Sequence, residues 1–346
     1  MERVMRSGSY ILGEEVSAFE TEFAASLGVR HAVAVASGTD AIEVMLRGHG
    51  IGAGDKVVAP AFAPSAVAAG ILRSGAELLL ADVEEEMFTL CPESLEAVLS
   101  SPAGRDVKAV LAVHLYGQPA AWDQLQKVTA AHGVLLLEDC AQSHGAFWQG
   151  RPTGTLGSSA AFSFYPTKNL AALGDAGAVV TGDDELAGRL RQVRQYGWHE
   201  RHVSECDGVN SRMDELQAAV LRVKLPGLTE NVSRRRQIAT HYVLRLRSCR
   251  ALRLPVTRSR CEHAFHQFVV RSSRRDALLQ HLHARGIPAT VHYPVALHQQ
   301  AAFRSNGSFP ASEKLAAEVL SLPLHPWLKA EAIPTVCEAL EAFNHG

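Results

Sequence analysis

Lys168 stands in "SSAAFSFYPTKNLAALGDAGAVV" (158–180), between two apolar runs and just upstream of a loop holding Gly174, Asp175 and Gly177. An amine is a nucleophile only when it can shed its proton, and partial burial among apolar neighbours favours the neutral form. A lysine in this setting suits covalent chemistry, although the residue by itself also fits a surface position. Asp139 lies one strand-like run upstream, where the four apolar residues of "GVLLLEDCAQ" (133–142) run into Glu138 and Asp139. A carboxylate at the buried end of a strand is costly unless a cation or a donor meets it. It can cap a helix, pair with a structural arginine, or face the protonated pyridine nitrogen of pyridoxal phosphate (PLP), a ring that accepts electrons from a breaking Cα–H bond. An Asp and a Lys on neighbouring strand ends can reach opposite sides of one flat ring. The third component is "VASGTDAI" (35–42), where Gly38 marks a strand-to-helix turn. Such a turn points the backbone N–H groups of Thr39 and Asp40 outward as a phosphate cradle, although the same residues also make an ordinary helix cap. Ser163 either adds a hydroxyl to that cradle or simply lies within its strand.

These residues need elements to hold them. "VSAFETEFAASLG" has Val16, Phe19, Phe23 and Leu27 at helical spacing and ends at Gly28, a good C-cap. Short apolar runs at 31–36, 55–62, 77–83, 107–117 and 133–142 alternate with helical segments, among them 40–47 and 122–132. Strands apolar on both faces, alternating with helices, predict an α/β fold with a mostly parallel sheet and ligands at the strand carboxyl ends. "WHERHVSECDGVNSR" predicts a long loop, followed by a helix from about Met213 to Lys224 that Pro226-Gly227 ends. The expected division is a large domain over 1–226 and a smaller α+β domain over 227–346, the latter running strand, helix, strand, helix.

The chain has 346 residues, enough for two domains. Its Lys plus Arg total of 34 nearly cancels 36 Asp plus Glu, which argues against a nucleic-acid partner. Arg234, Arg235 and Arg236 form the densest basic run, expected to be the solvated face of a helix. No apolar run reaches membrane-spanning length. Six cysteines without CxxC spacing fit reduced thiols, and the expected location is the cytoplasm. No metal site is expected: "HAFH" (263–266) falls in a predicted strand, where its histidines would point to opposite faces.

Taken together, "SGTDAI", "LEDCAQSHGA", "SFYPTKNLAALGDAGAVV", "GVNSRMDELQAA" and "HYPVALHQQAAF" resemble the DegT-type sugar aminotransferases, which are PLP enzymes of fold type I. The resemblance covers nearly the whole chain and implies a seven-stranded type of sheet in the large domain. It implies Lys168 as the Schiff-base lysine and acid/base, Asp139 at the pyridine nitrogen, Gln142 at the ring hydroxyl and Ala141 against one ring face. Gly38, Thr39, Asp40 (through its N–H) and Ser163 would hold the phosphate, with Asn210 reaching in from the other subunit of a homodimer. Tyr10, His144, Tyr293 and His298 lie in segments that line the sugar pocket of relatives. Family members usually have an aromatic residue where this chain has Pro64, so Phe62, another aromatic or an aliphatic contact must serve instead. The implied reaction cycles between PLP and pyridoxamine phosphate. It moves an amino group from L-glutamate to a nucleotide-linked 3-keto or 4-keto deoxysugar. A keto-cyclitol acceptor and a PLP-binding regulator without turnover are the alternatives. Family members that are dehydratases carry His in place of the lysine, and this chain does not.

Overall fold

The computed structural model describes residues 1–305 and 307–344. In chain order the strands are β1 (His31–Val35), β2 (Lys56–Pro60), β3 (Glu77–Ala81), β4 (Val107–Val113), β5 (Leu135–Asp139), β6 (Phe147–Trp148), β7 (Arg151–Pro152), β8 (Ser159–Ser163) and β9 (Gly177–Thr181). They continue with β10 (Trp198–Glu200), β11 (Val203–Ser204), β12 (Cys261–Glu262), β13 (Phe268–Arg271) and β14 (Val319–Leu322). Seven of them form one sheet in the order β1-β9-β8-β5-β4-β2-β3. The β3, β2, β4, β5 and β8 strands are parallel, whereas β9 runs antiparallel to both β8 and β1. The fold is therefore α/β with a mostly parallel central sheet, as the alternating pattern predicts.

Both faces of this sheet are covered, which is why its strands are apolar throughout. Helices Gly38–Gly48 and Ser65–Arg73 pack with Val33, Val57, Ala59, Leu111 and Val179 on one side. On the other side, helices Glu14–Leu27 and Glu215–Lys224 enclose Phe19, Phe23, Phe162 and Phe164; Phe19 and Phe23 stack on each other and meet the Phe162 and Phe164 rings edge-on. Helix Glu14–Leu27 has no capping side chain of its own. The Glu215 carboxylate supplies one, accepting from the N–H groups of Gly13, Glu15 and Val16 at 2.8–2.9 Å. A distant carboxylate thereby satisfies donors that a helix start leaves open.

A separate core lies C-terminal, built from Ile238, Tyr242, Phe268, Val270, Leu282, Leu320 and Leu340. Here the structure differs from expectation in several places. The second strand of this region is β14, paired antiparallel with β13, and the predicted strand near Thr290 reduces to one bridge to Ser321. "HAFH" is a loop between β12 and β13. Its two histidines are both buried, because the segment turns inward against Tyr116 and Gly117. The stretch after Gly197 carries the small β10–β11 hairpin rather than only a loop. Of the three arginines, Arg234 is exposed and pairs with Glu230 at 2.5 Å. Arg235 is buried on the inner face of helix Leu228–Leu246, and Arg236 donates to the carbonyls of Gly145 and His263. Three consecutive helical residues span about 200° of arc, so they cannot all share one face.

Candidate active site

Asp139 is the last residue of β5 and Ser163 the last of β8, its parallel neighbour. The chain leaving β8 turns through Tyr165–Ala172 before returning as β9, and Lys168 sits at that turn, half-buried. The turn is pinned to the sheet: Phe164 N–H donates to Ala176 O at 2.8 Å and Ala172 N–H to Phe164 O at 2.7 Å. Both stems of the lysine loop are therefore zipped together.

Burial pulls the Lys168 amine down to about 8, against the opposing pull of Asp139. Burial likewise pushes the Asp139 carboxyl up, offset by the Ala141 N–H at 2.9 Å and by the charge of Lys168. Each is thus a charge-bearing group that the fold leaves short of partners. Among the described residues, Lys168 makes no salt bridge and Asp139 accepts one side-chain hydrogen bond.

The start of helix Gly38–Gly48 lies beside Ser163. A Cβ at Gly38 would overlap that of Ser163, and one at Gly177 would lie 2.9 Å from Gly38 N. Only glycine lets the helix start, β8 and β9 approach this closely. The Asp40 N–H is taken by Ser37 Oγ at 3.1 Å, so the expectation that it is free does not hold in this cap. The N–H groups of Gly38 and Thr39 make none of the hydrogen bonds among the described residues. They leave two backbone donors at the helix start, which Ser163 adjoins. The Asp40 carboxylate has a role the sequence did not disclose. It accepts from Ser211 Oγ at 2.7 Å and pairs with Arg73 at 2.8 Å, which fixes the segment carrying Asn210 and Arg212. Asn210 itself is exposed, and Arg212 lies 5.6 Å from the centre of the Tyr196 ring.

Gln142 is buried, with its carbonyl accepting from Tyr116 N–H at 2.7 Å and its amide donating to Tyr293 Oη at 3.0 Å. Burial pushes the Tyr293 hydroxyl up to about 12. Tyr293 is thus joined to the site through Gln142. His144 is enclosed by Phe162 and Phe164 with both ring nitrogens unpartnered, and burial draws it down to about 3. His298 pairs with Glu313 at 3.1 Å beneath Phe309. Tyr10 is about half exposed, its hydroxyl reaching Met5 O at 3.4 Å. Phe62 is withdrawn into the main core, and Pro64 begins helix Ser65–Arg73.

A cavity of about 690 Å³ opens beside Lys168, lined also by Lys224, Arg235, His266, His292 and Trp327. Asp139, Gln142, Ser163 and Thr39 are not on its wall. His114, Glu138 and Cys140 also converge, within 4.8 Å of one another. Their polar atoms are occupied by one another and by neighbouring backbone groups, which makes them a structural knot.

The Lys168 amine, the Asp139 carboxyl and the donor-lined helix start fit a PLP-type ring held at its aldehyde, ring-nitrogen and phosphate ends. Unpartnered N–H groups at a helix start are the donors that a phosphate takes up, so the residues present fit the group.

Known proteins resemble this chain along nearly its whole length. A dTDP-3-amino-3,4,6-trideoxy-alpha-D-glucose transaminase of Streptomyces venezuelae is 44% identical over 345 residues, covering 99% of this chain and 90% of that protein. The erythromycin biosynthesis sensory transduction protein EryC1 of Saccharopolyspora erythraea is also 44% identical, covering 98% of this chain and 93% of its own. The crystal structure of S. venezuelae DesV with a ketimine intermediate superimposes with a TM-score of 0.95 at 43% identity, covering 100% of this chain and 93% of that one. Residues 1–341 match the family described as DegT/DnrJ/EryC1/StrS aminotransferases. The chain belongs to the DegT/DnrJ/EryC1/StrS aminotransferase family and is an aminotransferase of fold type I.

Proposed function

We propose that this aminotransferase moves an amino group from L-glutamate to a nucleotide-linked 3-keto or 4-keto deoxysugar. The observation that carries the reading is Lys168, an amine held near pH 8 opposite a buried carboxyl. The S. venezuelae transaminase, whose name specifies a dTDP-linked 3-amino deoxysugar, supports the acceptor class.

When bound, PLP supplies an electron sink for the broken Cα–H bond and stores the amino group as pyridoxamine phosphate. The protein supplies the proton handling. Lys168 Nζ takes the proton from the donor Cα and, in the second half of the cycle, the corresponding proton at the sugar carbon passes through the same amine. Asp139 keeps the ring nitrogen protonated. Gly38 and Thr39 N–H groups, with the Thr39 and Ser163 hydroxyls, hold the phosphate at a helix N-terminus. Gln142 holds the ring hydroxyl by exchanging one of its present partners, and Ala141, half-buried beside Asp139, meets one ring face. Asn210 of the partner subunit completes the phosphate site. Its exposure, and the exposure of the apolar Tyr165 and Leu173 and of Val223 on helix Glu215–Lys224, supports a homodimer. Tyr293 contacts the sugar, with Tyr10, His144 and His298 shaping the surrounding segments. The same reading divides the chain into domains at about residue 226, where helix Leu228–Leu246 begins to build the second core.

No helix of the described residues is long and apolar enough to cross a membrane; the cytoplasmic placement rests on the six cysteines, all free. Adding glutamate to the yellow holoenzyme tests the function: the colour bleaches and 2-oxoglutarate forms. A protein that stays yellow fits the regulatory alternative, for which the name of EryC1 is the supporting observation.

A further inference from the structure

The cavity beside Lys168 has an unbalanced wall. Three cations line it, Lys168, Lys224 and Arg235, and no aspartate or glutamate does. Among the described residues none of the three makes a salt bridge. Arg235 is the sharpest case, because the residue is only 6% exposed. Nη1 donates to the carbonyls of Phe265, His266 and Leu324 at 3.1–3.2 Å, Nε has no partner, and Nη2 makes none of the hydrogen bonds described. Burial without an acid draws this arginine down to about 10. A buried guanidinium is ordinarily paired, since an uncompensated charge out of water is costly. Here the unspent edge is Nε with Nη2, the side of the fork that meets a planar carboxylate through two parallel bonds. His266, also 6% exposed, lines the same wall with Nδ1 unpartnered. Burial holds it neutral, well below the usual histidine range, with Lys168 and Arg235 adding to the effect.

We propose that Arg235, Lys224 and His266 form an anion subsite that binds a carboxylate of the amino-acid donor. The assignment rests on the transaminase reading for the donor's identity, but the anion subsite itself does not. A carboxylate is favoured over the diphosphate of a sugar nucleotide for two reasons. The free edge of Arg235 is a single planar fork, and the cavity adjoins the amine that must act at the donor's Cα. The carboxylates of that donor are therefore the anions that the reaction itself brings to this wall.

Two half-reactions separate the possibilities. With Arg235→Lys and Lys224→Gln holoenzymes, the KM for glutamate in 2-oxoglutarate formation should rise roughly 10-fold to 100-fold. The kcat should stay near the unmodified value, as should the KM for the keto-sugar nucleotide in the second half-reaction. A rise confined to the sugar-nucleotide KM, or no rise in either, overturns the proposal. A direct measurement covers a chain that does not turn over or a variant that does not fold. Glutarate titrated into the unmodified protein should change the fluorescence of Trp327, which is 69% exposed at the cavity wall. The change should saturate, vanish in Trp327→Phe, and need roughly tenfold more glutarate in Lys224→Gln. No saturable change, or tighter binding of inorganic pyrophosphate than of glutarate, sinks the carboxylate subsite. Glutarate binding without 2-oxoglutarate formation upholds the subsite and removes the donor reading.

Discussion

Glu138 and Asp139 are adjacent carboxylates at the end of one strand, and the pleat sends them to opposite faces of the sheet. Glu138 is completely buried and fully engaged. It accepts from the N–H groups of Gly154, Leu156 and Gly157 at 2.7–2.8 Å and meets His114 Nε2 at 3.0 Å. Because His114 Nδ1 accepts the Ala120 N–H at 3.0 Å, Nε2 is the protonated nitrogen and donates to Glu138. Asp139 accepts one backbone N–H and keeps the rest of its capacity open toward Lys168. Burial is common to both; satisfaction is not. A buried acid with all its lone pairs used is a staple for loop 153–157, whereas a buried acid left short holds free energy that a ligand can release.

The contrast can be broken by substitution. Lys168→Ala should lose turnover by on the order of 10^4-fold while the fold survives, because it removes the proton carrier from the open side. Borohydride treatment of that variant should trap no cofactor, and labelling of another lysine would reassign the role. Glu138→Ala should cost about 3 kcal/mol or more of stability in a denaturant titration, since three buried N–H groups lose their acceptor. Its folded fraction should keep near-normal turnover. Asp139→Asn should do the reverse: stability within about 1 kcal/mol of the parent and turnover down on the order of 10^2-fold. Equal loss of stability in Glu138→Ala and Asp139→Asn would erase the distinction.

Two smaller effects sharpen it. Gly38→Ala should cost about 1–3 kcal/mol by overpacking against Ser163, and should weaken cofactor retention. Adding Ser163→Gly should restore stability and leave retention low, which equilibrium dialysis would show. The rate of cofactor capture by the empty protein should climb with pH and level off above about 8, because only the neutral Lys168 amine attacks. Below that value the neutral fraction falls about tenfold per pH unit. A flat profile from pH 6 to 9, or a midpoint near 10.5, would place the amine in open water.

The Lys168–Asp139 pairing was legible because its signals are local: an apolar strand running into an acid, and an amine enclosed by small residues. The central strands were legible for the same reason. What stayed hidden depends on distant chain segments. Nothing in "RRR" says that Arg235 turns inward, since that follows from loop 263–267 and Leu324 presenting carbonyls to it. The small β6–β7–β12 sheet joins residues 147–152 to 261–262, a pairing without any short-range mark. The β14 strand escaped notice because "VLSL" is short and follows a helix without a turn residue. Asp40 suited both a cap and a cradle on sequence grounds, and its actual partners, Arg73 and Ser211, lie 33 and 171 positions away.

The zipped stems of the lysine loop have a mechanical consequence. The amine belongs to the sheet, whereas Thr290, Ser321 and Trp327 across the cavity belong to the C-terminal layer. Any shift of that layer reshapes the doorway while the reactive nitrogen keeps its aim. Admission of different guests and delivery of the proton are in this way separate adjustments, and evolution can retune the first without disturbing the second.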